Sequence, residues 1–430
     1  MRVTDFPPEL LREIIRLSVG APTSYSSVEN GASCFLIMSS EPYQAAHDSG
    51  RSPKSSGRSS PHFSDKLAVA LVCREFWIIS NEFLYTVVSL SKASQAVNLA
   101  HGLTHHATRW NPAPGSWVRE LEIKSYFELD ESTTNSLKCI LDHCTRLSAL
   151  RISGSFLDRR HPSEITHILS AVPPGLVHFE FDAISIFSRR DRELAHSENG
   201  LYDALSRLAP SLRNLKLLAS RYLYLFSGRS NVLVGLTRLE LCFSSPDLQM
   251  MSNACGDPSV GSWPLESLTH LSLSYVPVNR DDTPMNFLLS LPPPSSMLFP
   301  ISRRVTFPLD NLLAAAPNLR ELEYQSFSLH SATLWRQCSS ISLRQIVVRA
   351  DGISYSELHR NRMFDSLREQ VHPLASKVAF PSLQGISVVS TRRCISTEII
   401  ARSLGFLKVS GIDVQPKVVE GASDIDEWFF

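Results

Sequence analysis

The sequence predicts an α/β solenoid of stacked strand–helix units that follows a small helical module. The main observation is a seven-position apolar pattern, helical in its first half and strand-like in its second, which recurs four times after residue 117. About one or two copies are expected by chance in a chain this apolar. One strand and one helix cannot bury their own apolar edges, so stacked units form a parallel sheet inside with helices outside.

Composition narrows the class of protein. The 430 residues include 42 basic and 42 acidic side chains, for a net charge of 0, so the average charge favours neither nucleic acid nor acidic lipid as a partner. No apolar stretch is long enough for a membrane span, and the N-terminus lacks a signal peptide's apolar core. The eight cysteines form no C-x-x-C pair. We expect reduced thiols and a cytoplasmic or nuclear location.

The first module is expected at residues 1–90. Residues 5–18 have a helical pattern that starts at Pro7 and Pro8, where a missing N–H is harmless, with Glu9 at the positive helix start. Leu10 and Ile14 lie on one apolar stripe. Residues 20–64 form a Ser/Pro-rich insertion, and helical spacing returns at residue 65. The apolar stripe of Leu10 and Ile14 is wide for so short a helix, and we expect it to need a partner surface.

A linker is expected at residues 91–116, with a helix near 94–106 that ends at the breaker 110–117. The solenoid is expected at 117–410, followed by a tail at 411–430. Each full copy has four apolar helix positions followed by three apolar strand positions. The helix and strand positions are 137/140/141/144 with 147/150/152, 165/168/169/172 with 176/179/181, 201/204/205/208 with 212/215/217, and 309/312/313/316 with 319/322/324. Strand halves alone occur at 118/121/123, 236/239/241, 268/271/273, 343/346/348, 383/386/388 and 404/407/409.

The position between the last two apolar residues of each strand should point away from the helices. We expect this row to bind a target protein through mixed charges, which set specificity more than affinity. The alternative for each residue is a solvated sheet face. The candidate target-binding residues are Glu122, Arg151, Glu180, Lys216, Glu240 and Glu323.

Two segments of the N-terminal module resemble the halves of an F-box. They are Phe6-Pro7-Pro8-Glu9-Leu10-Leu11-x-Glu13-Ile14-Ile15 and Leu67-Ala68-x-x-Leu71-Val72-Cys73-Arg74-x-Phe76. The exit Phe83-Leu84-Tyr85-x-x-Val88 is similar to that of F-box proteins from mushroom-type (basidiomycete) fungi. In the family a few residues join the halves, whereas here the insertion at 20–64 separates them. Loop closure depends only weakly on length, so both halves can still pack together.

The resemblance implies an F-box protein with an irregular leucine-rich-repeat solenoid. Such a chain would be the substrate-recognition adaptor of a cullin-type (SCF) ubiquitin ligase, with the F-box on a Skp-type adaptor and the repeats on an unknown target protein. The alternative is a non-degradative scaffold whose N-terminal helices only cap the solenoid. No catalytic motif, metal site or cofactor site is expected. The positions that match adaptor contacts are Pro7, Pro8, Glu9, Ile14, Leu71, Val72 and Cys73.

Overall fold

The structure is a computed structural model that describes the solenoid in segments. It describes residues 85–107, 113–125, 130–154, 162–182, 191–218, 234–243, 265–275, 309–325, 335, 338–349, 368–369, 371–390 and 404–418. The segments at 6–15 and 67–76 that resemble the two halves of an F-box, and with them every predicted adaptor contact, lie outside this range.

All the described strands belong to one parallel sheet. Its eleven strands lie side by side in the order of the chain, and each described pair of neighbours is parallel. The strands are β1 (Val87–Leu90), β2 (Glu120–Ser125), β3 (Ala149–Gly154), β4 (His178–Asp182), β5 (Asn214–Leu218), β6 (Arg238–Phe243), β7 (His270–Tyr275), β8 (Glu321–Gln325), β9 (Gln345–Arg349), β10 (Gly385–Ser390) and β11 (Asp413–Val418). The predicted parallel sheet is confirmed.

Helices connect several of these strands. The described ones are α1 (Ala93–Ala107), α2 (Glu131–His143), α3 (Pro162–Ser170), α4 (Asp191–Leu208), α5 (Leu309–Ala315) and the short α6 (Phe406–Val409). Two 3₁₀ turns lie at Pro114–Trp117 and His372–Ala375. Helix α2 begins at the N-cap Asp130, whose carboxylate accepts a hydrogen bond from the Thr133 N–H at 2.7 Å. Among the described residues, no helix combines the length and apolar character that crossing a membrane requires.

The core lies between the helices and one face of the sheet. The three strand positions of the sequence pattern form three apolar rows that run across the strands, and the apolar residues of the helices pack on them in one cluster. Burying such rows is the main stabilising term of a solenoid. The first of these three rows lies just before the strands and is 0–2% exposed. Its residues are Val118, Leu147, Leu176, Leu212, Leu236, Leu268, Leu319, Leu343 and Leu383.

Backbone hydrogen bonds join the start of each strand from β2 to β11 to the preceding unit. The carbonyl of Arg119 accepts from both Ser148 N (2.8 Å) and Ala149 N (3.0 Å). The same fork recurs at Ser148, Val177, Arg213, Thr237, Thr269, Arg320 and Arg344. The residues just before each of these strands are therefore held by the preceding unit, and this fixes the register from one repeat to the next.

Close packing of the first units depends on Gly115. A Cβ at this position would lie 2.4 Å from the backbone oxygen of His143. No side chain fits there without moving the end of α2. The turn at 114–117 is thereby pressed against the next helix.

Cysteine behaves as predicted where it is described. Cys139, Cys144 and Cys338 form no disulfide. Cys144 is completely buried, and this burial, with a smaller effect of Cys139, raises the pKa of its thiol to about 12. A thiol with so high a pKa is unreactive and serves packing.

The linker helix and the four full strand–helix copies are confirmed. The strand expected at 404/407/409 is wrong: Val409 ends α6 and is 91% exposed. Gly411, at φ 71, turns the chain so that the strand starts only at Asp413. The sheet therefore extends into 411–430, which the sequence pattern assigns to a tail.

Candidate binding face of the sheet

The face of the sheet opposite the core carries a continuous row of aligned residues. Strand side chains alternate between faces, so the residue between two buried neighbours points away from the helices. The register places these residues in one line across all eleven strands: Ser89, Glu122, Arg151, Glu180, Lys216, Glu240, Ser272, Glu323, Val347, Ser387 and Gln415. All six candidate target-binding residues belong to this row. That they bind a target stays a prediction.

The charges of the row alternate in sign over five neighbouring strands, from Glu122 to Glu240. Glu180 stands at the centre between two cations. Its carboxylate lies 3.7 Å from Arg151 Nε and 2.8 Å from Lys216 Nζ. Opposite charges on neighbouring strands stabilise the sheet modestly, by about 0.2–1 kcal/mol per pair. The network therefore holds these side chains in defined positions more than it adds stability.

The flanking carboxylates have partners of their own. Glu122 accepts a hydrogen bond from Ser89 Oγ at 2.9 Å and lies 3.5 Å from Lys124 Nζ. Glu240 accepts from Arg238 Nε at 2.9 Å, two residues earlier on the same strand. Each of these side chains remains partly exposed, so the row is accessible at β2–β6.

The row is enclosed at two residues, Glu323 on β8 and Ser387 on β10. Glu323 is only 9% exposed and forms an ion pair with Arg349. Ser387 is 1% exposed and accepts a hydrogen bond from Gln345 Nε2 at 2.9 Å. Glu323 is thus part of a nearly buried pair, whereas the charged residues of the row on β2–β6 are all partly exposed.

A shallow hollow of about 50 Å³ lies on this face over β3–β6. Ala149 contributes to it, because its small side chain leaves space beside longer neighbours. The rim includes the cations Arg151, Lys216 and Arg238 and the carboxylates Glu180 and Glu240. We call this feature the β3–β6 hollow.

Sequence reasoning missed several residues of the hollow. His178, Asn214 and Arg238 belong to a second row, two positions before the first, on the same face. Strand alternation alone would have found them. The Asn214 side-chain amide nitrogen lies 2.6 Å from His178 Nδ1, within hydrogen-bond distance.

The environment of His178 keeps its imidazole neutral. Burial, followed by the positive charges of Arg151 and Arg238, lowers its pKa from 6.5 to about 4. Glu180, Lys216 and Glu240 also line the hollow around it. The two arginines therefore oppose protonation of the imidazole in addition to the effect of burial.

This shift predicts an acid-sensitive fold. Below its ordinary pKa, His178 takes up a proton in the unfolded chain more readily than in the folded chain, so the free energy of unfolding falls as the pH drops from 6.5 toward 4. We expect a loss of about 1–2 kcal/mol over this window, allowing for partial exposure. Thermal unfolding against pH measures it.

The matched controls for this prediction are two histidine substitutions. His178→Gln should flatten the pH dependence between those values, whereas His167→Gln, at an exposed position of α3, should leave it unchanged. Equal slopes for the wild type and His178→Gln would contradict the assignment.

Within the described segments, no group of three or more His, Cys, Asp or Glu side chains could hold a metal ion. The described side chains of this face offer charges and hydrogen-bond donors and acceptors. Its described side chains can recognise a polar surface.

Comparison with known proteins adds a structural neighbour. No family model matches the sequence, and no curated protein matches it. A similar solved structure is that of the leucine-rich repeat-containing protein LegL7 from Legionella pneumophila, at 18% identity and a TM-score of 0.40, covering 77% of this chain and 93% of that one. A likeness at that TM-score determines neither fold nor function. The strand pairings described above define the fold.

Proposed function

We propose that this chain is a protein-interaction adaptor whose sheet holds a target protein on its polar face. The observation that carries the proposal is the aligned row of partly exposed polar residues on β2–β6, opposite the apolar rows. Stacked repeats commonly bind proteins through such extended surfaces. A charged row held in place by cross-strand pairs favours specificity over affinity.

The size of the hollow supports a macromolecular partner over a small molecule. Pockets for small ligands usually enclose about 300–1,000 Å³. The β3–β6 hollow has about 50 Å³, which suits a single side chain of a partner.

The more specific proposal is that the chain is the substrate adaptor of a cullin-type (SCF) ubiquitin ligase. It is supported by the residues that resemble an F-box, and by no family model. In this proposal Leu10 and Ile14 place an apolar helix stripe in a groove of a Skp-type adaptor, with Pro8 at the helix start. The chain itself would make and break no bond.

Co-elution with a purified Skp-type adaptor tests the ligase proposal. We expect the wild-type chain to co-elute in gel filtration, and the Pro8→Asp/Ile14→Asp variant to lose co-elution, because a buried carboxylate on the stripe leaves an unpaired charge. The matched control is Pro22→Asp/Val28→Asp, the same kinds of substitution within 20–64, which should co-elute like the wild type. Circular dichroism checks that the repeats stay folded.

Two outcomes would contradict the ligase proposal: a wild-type chain that does not co-elute, or a Pro8→Asp/Ile14→Asp variant that still does. The alternative, a non-degradative scaffold with an N-terminal cap, would then be favoured. One observation supports that alternative. Among the described strands β1 pairs only with β2, and a sheet edge of this kind would benefit from a cap.

A further inference from the structure

We propose that the β3–β6 hollow receives an acidic side chain, Asp or Glu, from a peptide segment of the target protein. This inference rests on the proposed function, in which a target binds the polar face. It adds the chemistry of the contact and the strands that make it.

The first argument is the arrangement of donors around the hollow. Three cationic side chains, Arg151, Lys216 and Arg238, and two carboxylates line it. Arg151 and Lys216 approach Glu180 from the two neighbouring strands, and Arg238 is fixed by Glu240. A partner carboxylate over the hollow can therefore accept from cations that are already held in position. Little side-chain entropy is lost when such preorganised donors bind.

The second argument is the effect of the charged lining of the hollow on His178. Burial, followed by the positive charges of Arg151 and Arg238, disfavours the protonated form of His178. The lining of the hollow also holds three cations against two carboxylates. An incoming carboxylate meets a favourable potential there, whereas a lysine or arginine of a partner meets an unfavourable one.

The neighbouring residues limit how much negative charge the partner can carry. Glu122 lies one strand beyond Arg151, and Glu240 lies one strand beyond Lys216. A polyanion laid along the row would run onto both carboxylates. The face therefore fits a peptide with an isolated acidic residue better than a nucleic acid backbone, whose charges repeat at short intervals.

A random peptide library tests the proposal without knowledge of the target. Displayed twelve-residue peptides are selected on the immobilised full-length chain, and the dissociation constants of selected peptides are measured by fluorescence anisotropy. We expect Asp or Glu to be enriched in the selected peptides. The Arg151→Gln/Lys216→Gln variant should bind them about tenfold or more weakly, the usual effect of losing charge-assisted hydrogen bonds.

The matched control removes the same charge elsewhere. Lys92 and Lys138 are exposed residues outside the row, so Lys92→Gln/Lys138→Gln should bind the selected peptides like the wild type. Thermal unfolding verifies the fold of each variant. If the hollow variant unfolds, Arg151→Gln alone replaces it, with a Glu→Gln version of the selected peptide as the complementary change.

The outcomes separate this inference from the function on which it rests. Peptides that are sensitive to the hollow variant but carry no excess of acidic residues would overturn the inference and leave the face as a binding surface. Peptides that bind equally to all variants would overturn the inference and count against the face itself. Neither result depends on co-elution with a Skp-type adaptor.

Discussion

Replacing Leu239 by alanine should lower the free energy of unfolding by about 3 kcal/mol. Leu239 is 0% exposed and lies in the middle of the sheet, with Leu215 and Leu271 as its register partners on the two sides. The truncation removes apolar contacts and leaves a cavity that rigid strands cannot close. The free energy of unfolding, from urea denaturation, is the quantity to measure.

The control for this prediction is an apolar residue of the same repeat. Val234 is 54% exposed just before the same strand, so Val234→Ala should change the free energy of unfolding by less than about 0.5 kcal/mol. A solenoid also transmits such damage mainly to neighbouring units. A Leu239→Ala variant as stable as Val234→Ala would mean that the apolar rows are not the core.

The repeats could be predicted from the sequence because their two halves have different periods. Buried helix residues recur at three and four positions and strand residues at two, so the combined pattern is specific. Leu147, Leu150 and Ile152 illustrate this, since all three are buried in the positions the pattern assigns.

The last strand shows where the pattern fails. Leu404 and Leu407 are buried as the strand pattern requires, yet Leu404 lies in the turn before α6 and Leu407 lies in α6. A short helix and a strand place apolar residues at the same three-residue spacing, and Gly411 decides between them through its backbone conformation. That turn geometry is not visible in an apolar count.

The alignment of the polar residues on one face was predictable from the sequence, but which of them are accessible to a partner was not. The spacing of the apolar residues placed Glu122 to Glu323 on one face, and the register confirms that alignment. Which of them are accessible depends on neighbours in other repeats: Glu323 is nearly buried beside Arg349, whereas Glu180 borders the hollow. The contact between Asn214 and His178 also joins two repeats, and the number of residues between repeats varies along the chain. Such contacts require the three-dimensional register.

The parallel stacking of the strands is the central claim, and a native cysteine gives the most direct measurement of it. Cys242 on β6 and Ser274 on β7 are register partners in the parallel arrangement. Neighbouring strands are about 5 Å apart, within the range that a disulfide spans. Mild oxidation of Ser274→Cys should therefore link it to Cys242, as peptide mass spectrometry would detect.

The comparison variant is His270→Cys. If β7 were antiparallel to β6 and the Glu240–Ser272 pair were kept, position 270 would be the register partner of Cys242. In the parallel sheet the partner is position 274, and position 270 lies four residues from it along β7, about 13 Å. The parallel solenoid predicts a disulfide for Ser274→Cys and none to Cys242 for His270→Cys. A disulfide in His270→Cys, without one in Ser274→Cys, would contradict it.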